Sequence, residues 1–280
     1  MPELTDFLLF NVSRWNLACL AAGLVVMSGR RAGALTRSGA LAAVSVGTVL
    51  VGAGGWWAGV LIVVFFVSSN ALGRLRREIQ PRLQAAKGGR RDAAQVFANG
   101  GIPTLLALAA ASATDKVPWL IATAAAIAGA NADTWATEIG RTSMRMPRMI
   151  TTWQHAPSGS SGAISTRGTL GALAGATTIG LTASIGTAAG WWLPDRLAVP
   201  MMFAVTVAGF AGALVDSVLG ATVQAQYFCP RCDVVTELAV HRCGTSTELR
   251  RGIRSVTNDV VNAIAVSASA VVALGWYWLC

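Results

Sequence analysis

The feature that most limits what this chain can fold into is the recurrence of apolar runs as long as a bilayer is thick. Leu17 to Met27, Val117 to Gly129 and Val260 to Leu274 are three of them, and a hydrocarbon core about 30 Å across needs roughly 20 such residues per helix. Only 12% of the 280 residues are charged, about half the share in an ordinary soluble domain. A soluble enzyme, a disordered chain, a collagen-like repeat and a disulfide-stapled scaffold are all excluded by this pattern. The expected fold is all-α: a polytopic transmembrane helix bundle forming a single domain over residues 1–280.

Apolar periodicity and turn signals place eight spans, at about 11–29, 34–52, 56–72, 96–113, 118–140, 166–191, 199–222 and 257–279. The second and third are separated only by a tight hairpin through Gly52, Gly54 and Gly55. Glu3 and Asp6 stand where a cleavable signal would carry basic residues, so the first run is read as a span. Of the 22 basic residues, all but Arg14, Lys116 and Arg196 fall in alternate loops on one side. The positive-inside rule makes that side cytoplasmic and puts both termini outside, in a cell inner membrane. The formal charge of +9 is thereby read as topology, and nucleic acid is not an expected partner. A homo-oligomer is compatible with the sequence.

Chemistry is expected on the basic side, because the loops there are long and the opposite ones are short. Four acids fall inside spans: Asp133, Glu138, Asp216 and Asp259. A carboxylate in hydrocarbon costs roughly 2.5–3.5 kcal/mol even on a lenient scale, so each is a functional candidate. Spans five and seven run inward and span eight outward, which brings all four acids to one depth. Asn70, Asn99, Asn131, Asn258 and Asn262 sit at the same level. Carboxylates mixed with amide oxygens suit Mg²⁺ bridging phosphates. On span five, Asn131, Thr134 and Glu138 share a helix face, with Asp133 beside them. Small residues at helical spacing, such as Ala128, Ala132, Ala136 and Gly140, would let neighbouring backbones pack closely and turn the acids inward.

The basic loops offer anion-binding chemistry. Arg74 to Leu83 reads either as an interfacial amphipathic helix kinked at Pro81 or as simple positive-inside anchoring. Lys87, Arg90 and Arg91 flank two glycines just before span four, a candidate phosphate clamp. The run Ser158 to Thr169 is rich in glycine and hydroxyl groups before a helix start, where backbone N–H groups can meet an anion; a flexible linker fits the same composition, and the ending of a P-loop is missing. The third loop, 223–256, carries Cys229, Cys232, His241 and Cys243. A Cys-x-x-Cys knuckle followed by His and Cys points to a closed, structural Zn²⁺ site, with an unmetallated redox pair as the alternative.

Several of these strings resemble a known integral-membrane family, the one containing transmembrane protein 19 and plant phytyl-phosphate kinase. They are Lys87 to Gly100 (KGGRRDAAQVFANG), Gly129 to Gly140 (GANADTWATEIG), Ile150 to Thr152, Gly162 to Ser165, Val215 to Thr222 (VDSVLGAT) and Thr257 to Asn262 (TNDVVN). The likeness runs in order from about 30 to 270. The stretch Trp153 to Ser161 departs from the proline-rich loop usual in that family. Asp133, Ala136, Gly140 and Arg141 also resemble a short pattern in dolichol kinase, phytol kinase and phosphatidate cytidylyltransferase.

The resemblance implies a kinase that converts a prenyl monophosphate to the diphosphate with a nucleoside triphosphate (CTP, UTP or ATP). Asp133, Asp216 and Asp259 would then hold Mg²⁺, assisted by Glu138 and by Asn99, Asn131, Thr134, Asn258 and Asn262. Lys87, Arg90, Arg91 and Arg141 would neutralise the triphosphate, and the prenyl tail would lie among the helices. The alternatives are a prenol kinase, a nucleotidyltransferase acting on a lipid phosphate, and a lipid transporter. A transporter would spread its polar groups through the membrane depth.

Overall fold

The computed structural model describes residues 2–79 and 90–279. The described residues form eight long helices: α1 Pro2–Arg31, α2 Arg37–Gly54, α3 Trp56–Ile79, α4 Ala93–Ser112, α5 Val117–Gly140, α6 Thr166–Ala188, α7 Ala198–Thr222 and α8 Asn258–Leu279. Seven of them are long and apolar enough to cross a membrane. The one outside that set is α5, although its 24 residues would reach about 36 Å.

Its position explains its composition. Helix α5 is the central rod of the bundle, packed against α3, α4, α6, α7 and α8, and an unbroken run from Leu120 to Ala132 is buried. A helix that meets protein on every side has no need of a lipid-facing apolar surface and tolerates Thr123, Asn131 and Asp133. Small residues make the enclosure possible. Gly168, Gly171 and Gly175 on α6 lie directly against the α5 backbone, and Gly209 of α7 lies against Ala128. Around this core the outer helices expose Leu24, Leu41, Leu105, Val207 and Val271, a surface suited to lipid rather than water.

The loops gather at two ends. At one end Gly55, at φ 86°, closes the expected α2–α3 hairpin, Trp192 Nε1 donates to Gly54 O at 2.9 Å, and Tyr277 hydroxyl donates to Asp115 at 2.9 Å. At the other end the basic loops interlock. Arg91 N donates to Ala34 O and Thr36 N to Arg91 O, tying the start of α4 to the α1–α2 turn. Gly39 is required for this: a Cβ there would sit 2.1 Å from Arg91 O.

Two small sheets decorate the basic end. Strands β1 (Arg148–Met149) and β2 (Ala163–Ile164) form an antiparallel pair. In the 223–256 insertion, β3 (Gln226–Cys229) is flanked by β4 (Val234–Thr236) and β5 (Glu248–Arg251), both antiparallel to it. Span three also differs from expectation. Helix α3 continues unbroken to Ile79, so Arg74 and Arg76 belong to the span rather than to a separate interfacial helix. The reason is local: Arg76 turns inward, where it is 2% exposed and ion-paired with Glu138. Pro81 and Lys87 lie outside the described residues.

Candidate functional site

At the basic end, a cavity of about 330 Å³ opens among α4, the C-terminal turns of α5, the Ser158–Ser165 loop, α6, α7, α8 and the 223–256 insertion. Its walls contain most of the residues singled out from sequence. Asp133, Thr134, Glu138 and Arg141 come from α5 and its cap, Asp216 from α7, Asn258 and Asn262 from α8, and Arg90, Arg91 and Asn99 from the start of α4. Helix geometry accounts for the convergence: α5 and α7 run toward this end and α8 starts there, so residues one to three turns from a helix end meet at one depth.

The carboxylates form the centre. Asp216 lies within electrostatic reach of Asp133 and Glu237, and Asp133 within reach of Arg141 and Glu237. The Asn262 side-chain amide, oriented to satisfy its neighbours, donates to Asp216 Oδ2 at 3.1 Å and to Asn258 O at 3.2 Å. These three carboxylates line this cavity along with amide and hydroxyl groups, all of them hard donors. The same cavity is lined by Arg141, the Gly/Ser loop and the N-terminus of α6, whose cap Ser165 accepts from Gly168 N at 3.1 Å. Gly162 fixes that loop at φ 80°, where a Cβ would collide with Ala221. Carboxylates, an arginine, hydroxyl groups and a helix N-terminus in one cavity together suit a phosphate-bearing ligand held through a cation.

Glu237 is the residue that sequence reasoning missed. It belongs to the insertion, just after β4, and reaches the cavity through a short relay. Ser161 Oγ donates to Gln224 Oε1 at 2.8 Å, and Gln224 Nε2 donates to Glu237 Oε1 at 2.9 Å. Gln224 is 1% exposed. Arg251, on β5, donates to Gly220 O at 2.7 Å and anchors the same insertion to the end of α7. Nothing in local sequence signals this, because the relay joins the loop before α6 to residues beyond α7, with Ser161 and Gln224 lying 63 positions apart.

Several expected roles change. Asp259 does not line the cavity; it follows Asn258 on α8, about 100° round the helix from the face that Asn258 and Asn262 share. Asn131 is a structural residue rather than a ligand. It is fully buried, its amide donates to Gly175 O at 2.8 Å, and its Oδ1 accepts from Ser68 and Ser69. Glu138 lines the cavity but is engaged by Arg76. Arg90 donates through its guanidinium to Leu35 O at 2.9 Å, so it braces the α4 entry.

Arg91 is different. Its guanidinium lies over the rings of Phe65 at 4.9 Å and Phe66 at 5.9 Å. Burial draws its pKa down to about 10, with Glu138 opposing the fall, so it stays cationic at neutral pH.

The insertion holds a second centre. The ligand atoms of Cys229, Cys232, His241 and Cys243 all lie within 4.8 Å of one another, compatible with tetrahedral Zn²⁺, whose bonds to sulfur are about 2.3 Å. Cys229 Sγ is 3.7 Å and His241 Nδ1 is 3.1 Å from Cys243 Sγ. Hydrogen bonding from Thr245 and then His241 pulls the Cys243 thiol down to about 5, favouring the thiolate that a metal binds.

Comparison with known proteins places the chain in context. Residues 20–270 match the family described as Integral membrane protein DUF92. Protein PGR of Arabidopsis thaliana is 31% identical over 274 residues, covering 90% of this chain and 92% of that protein. An uncharacterized membrane protein of Methanocaldococcus jannaschii is 33% identical over 58% of this chain and 63% of its own length. Another, from Synechocystis, is 26% identical over 82% and 78%. No solved structure matches. With the family match spanning residues 20–270 and a relative aligned over nine-tenths of both chains, this chain belongs to the DUF92 family of integral membrane proteins.

Proposed function

We propose that this protein is a membrane-embedded prenyl-phosphate kinase, working at the cytoplasmic face of the cell inner membrane. It would transfer a phosphoryl group from a nucleoside triphosphate to a prenyl monophosphate. The observation that carries this reading is the meeting of Asp133, Asp216 and Glu237 with Arg91, Arg141 and the Gly/Ser loop in one cavity. The resemblance of the strings around Asp133, Asp216 and Asn258 to phytyl-phosphate kinase supplies the acceptor class.

Asp133 and Asp216, with Glu237, fit Mg²⁺ by charge and donor hardness, and the bound ion would neutralise charge on the transferred group. Arg141 and the loop N–H groups orient the triphosphate. Arg91 holds the acceptor phosphate. Because the attacking oxygen is already anionic, no residue need remove a proton: an acceptor oxygen bonds to the γ-phosphorus, and the bond to the departing nucleoside diphosphate breaks. Positioning and charge stabilisation supply the acceleration. The polar groups lie at one end of the bundle, whereas a transporter would carry them at mid-depth.

The test uses the purified protein with Mg²⁺ and labelled CTP, UTP or ATP, offered prenols and prenyl monophosphates. The expected product is prenyl diphosphate with release of nucleoside diphosphate. Release of pyrophosphate would replace the kinase with a nucleotidyltransferase, and product from a prenol alone would move the acceptor one step back. Asp133→Asn should lower turnover by about two orders of magnitude or more while keeping the wild-type melting profile. Near-wild-type turnover in that variant would remove Asp133 from the site.

A further inference from the structure

A second cavity, of about 310 Å³, lies between α1, α2, α3 and α4. Its walls are apolar, formed by residues such as Val26, Ala43, Val46, Val63 and Phe65. Three of its lining residues, Arg91, Gln95 and Asn99, also line the polar cavity. The two spaces therefore share one wall, and that wall carries a cation. Along α3 the lining runs from Trp56 to Phe66, about 15 Å of helix. Gly47, Gly59 and Gly100 also line it, where their missing side chains let Ala22, Val51 and Val46 pack close against the neighbouring helices.

The state of Arg91 suggests what the junction is for. Among the described residues its guanidinium has ring partners but no hydrogen bond or ion pair. Five donors held on a half-buried planar cation form a natural partner for a phosphate. An apolar groove that begins at a single phosphate-seeking arginine has the polarity of a single-chain lipid phosphate.

We infer that the α1–α4 groove houses the hydrocarbon tail of the isoprenoid substrate, with Arg91 gripping its phosphate where the groove meets the polar cavity. This rests on the prenyl-phosphate reading above and adds to it the location and orientation of the acceptor. Tail and triphosphate approach Arg91 from opposite sides, so the phosphate is presented to the carboxylate centre while the chain stays in an apolar space.

Photolabelling tests it without requiring turnover. The full chain in detergent is incubated with a C15 prenyl monophosphate bearing a terminal diazirine, irradiated and mapped by peptide mass spectrometry. Labels should fall on α1, α2 and α3 groove residues, and about tenfold excess of unlabelled prenyl monophosphate should reduce them by about fivefold or more. Ala43→Phe, which fills the groove, should reduce labelling to a similar degree. Val63→Trp serves as a second block, each variant being checked by its melting profile. Arg91→Gln should weaken labelling by the phosphate while leaving labelling by the matching prenol unchanged. Labels on helices α5 to α8, or labels that competitor does not displace, would overturn the inference and leave a groove filled by bilayer lipid only. Competed groove labelling without phosphoryl transfer would sink the kinase and keep the binding site. Phosphoryl transfer with labels elsewhere would do the reverse.

Discussion

Arg76 and Glu138 illustrate how one side chain can be misread from its neighbours in sequence. In a row of arginines after an apolar span, Arg76 reads as a headgroup anchor, yet it is one of the most buried polar residues in the bundle. Its partner Glu138 reads as a metal-assisting acid and is instead the counter-charge that makes that burial tolerable. Removing one member of a buried pair strands the other, at about 3–5 kcal/mol, whereas replacing both with apolar groups costs far less. Arg76→Met should therefore lower the melting temperature of the purified protein more than the double variant Arg76→Met/Glu138→Leu. Equal destabilisation in the two would show that the pair is not coupled. Asn131 teaches the same lesson in milder form: its residue type suits a ligand, but its hydrogen bonds to α3 and α6 are what hold it.

Among the elements, the 223–256 insertion carries the most information that sequence inspection could not extract. The Cys229, Cys232, His241 and Cys243 spacing announces a metal knuckle, and the structure brings the four ligand atoms together. That the same insertion delivers Glu237 to the cavity, through Ser161 and Gln224, was illegible because no local pattern encodes it. The arrangement makes two predictions. Purified protein should contain one equivalent of zinc, lost in Cys232→Ser, as read by metal analysis. Glu237→Gln should retain that zinc and still lose about tenfold or more in turnover, as one partner of a charged cluster is neutralised. Zinc loss without any change in activity would separate the knuckle from the site.

For the whole molecule, the alternation of apolar runs and basic loops fixes which helix ends lie together. Cysteines introduced at Ser158 and Ser246 should accordingly react with an impermeant thiol reagent from the same side of sealed vesicles, and one at Ala113 from the other. Ser158 and Ala113 labelled from one side would break the topology. Seven of the eight helices announce themselves by composition, and the eighth, α5, by length and by the acids near its end. Helix number, the shared depth of Asp133 and Asp216, and the small-residue packing around α5 are all periodic or compositional properties, written along the chain every 3.6 residues, and the sequence by itself determined them. Which face of each helix end looks into the cavity was decided by tertiary structure alone. A rotation of 100° per residue separates Asp259 from Asn258, and the enclosing neighbours choose between them. The same holds for Glu237, and for the groove that shares Arg91 with the polar cavity. Each depends on contacts between segments far apart in the chain, and such contacts leave no period in the sequence to read.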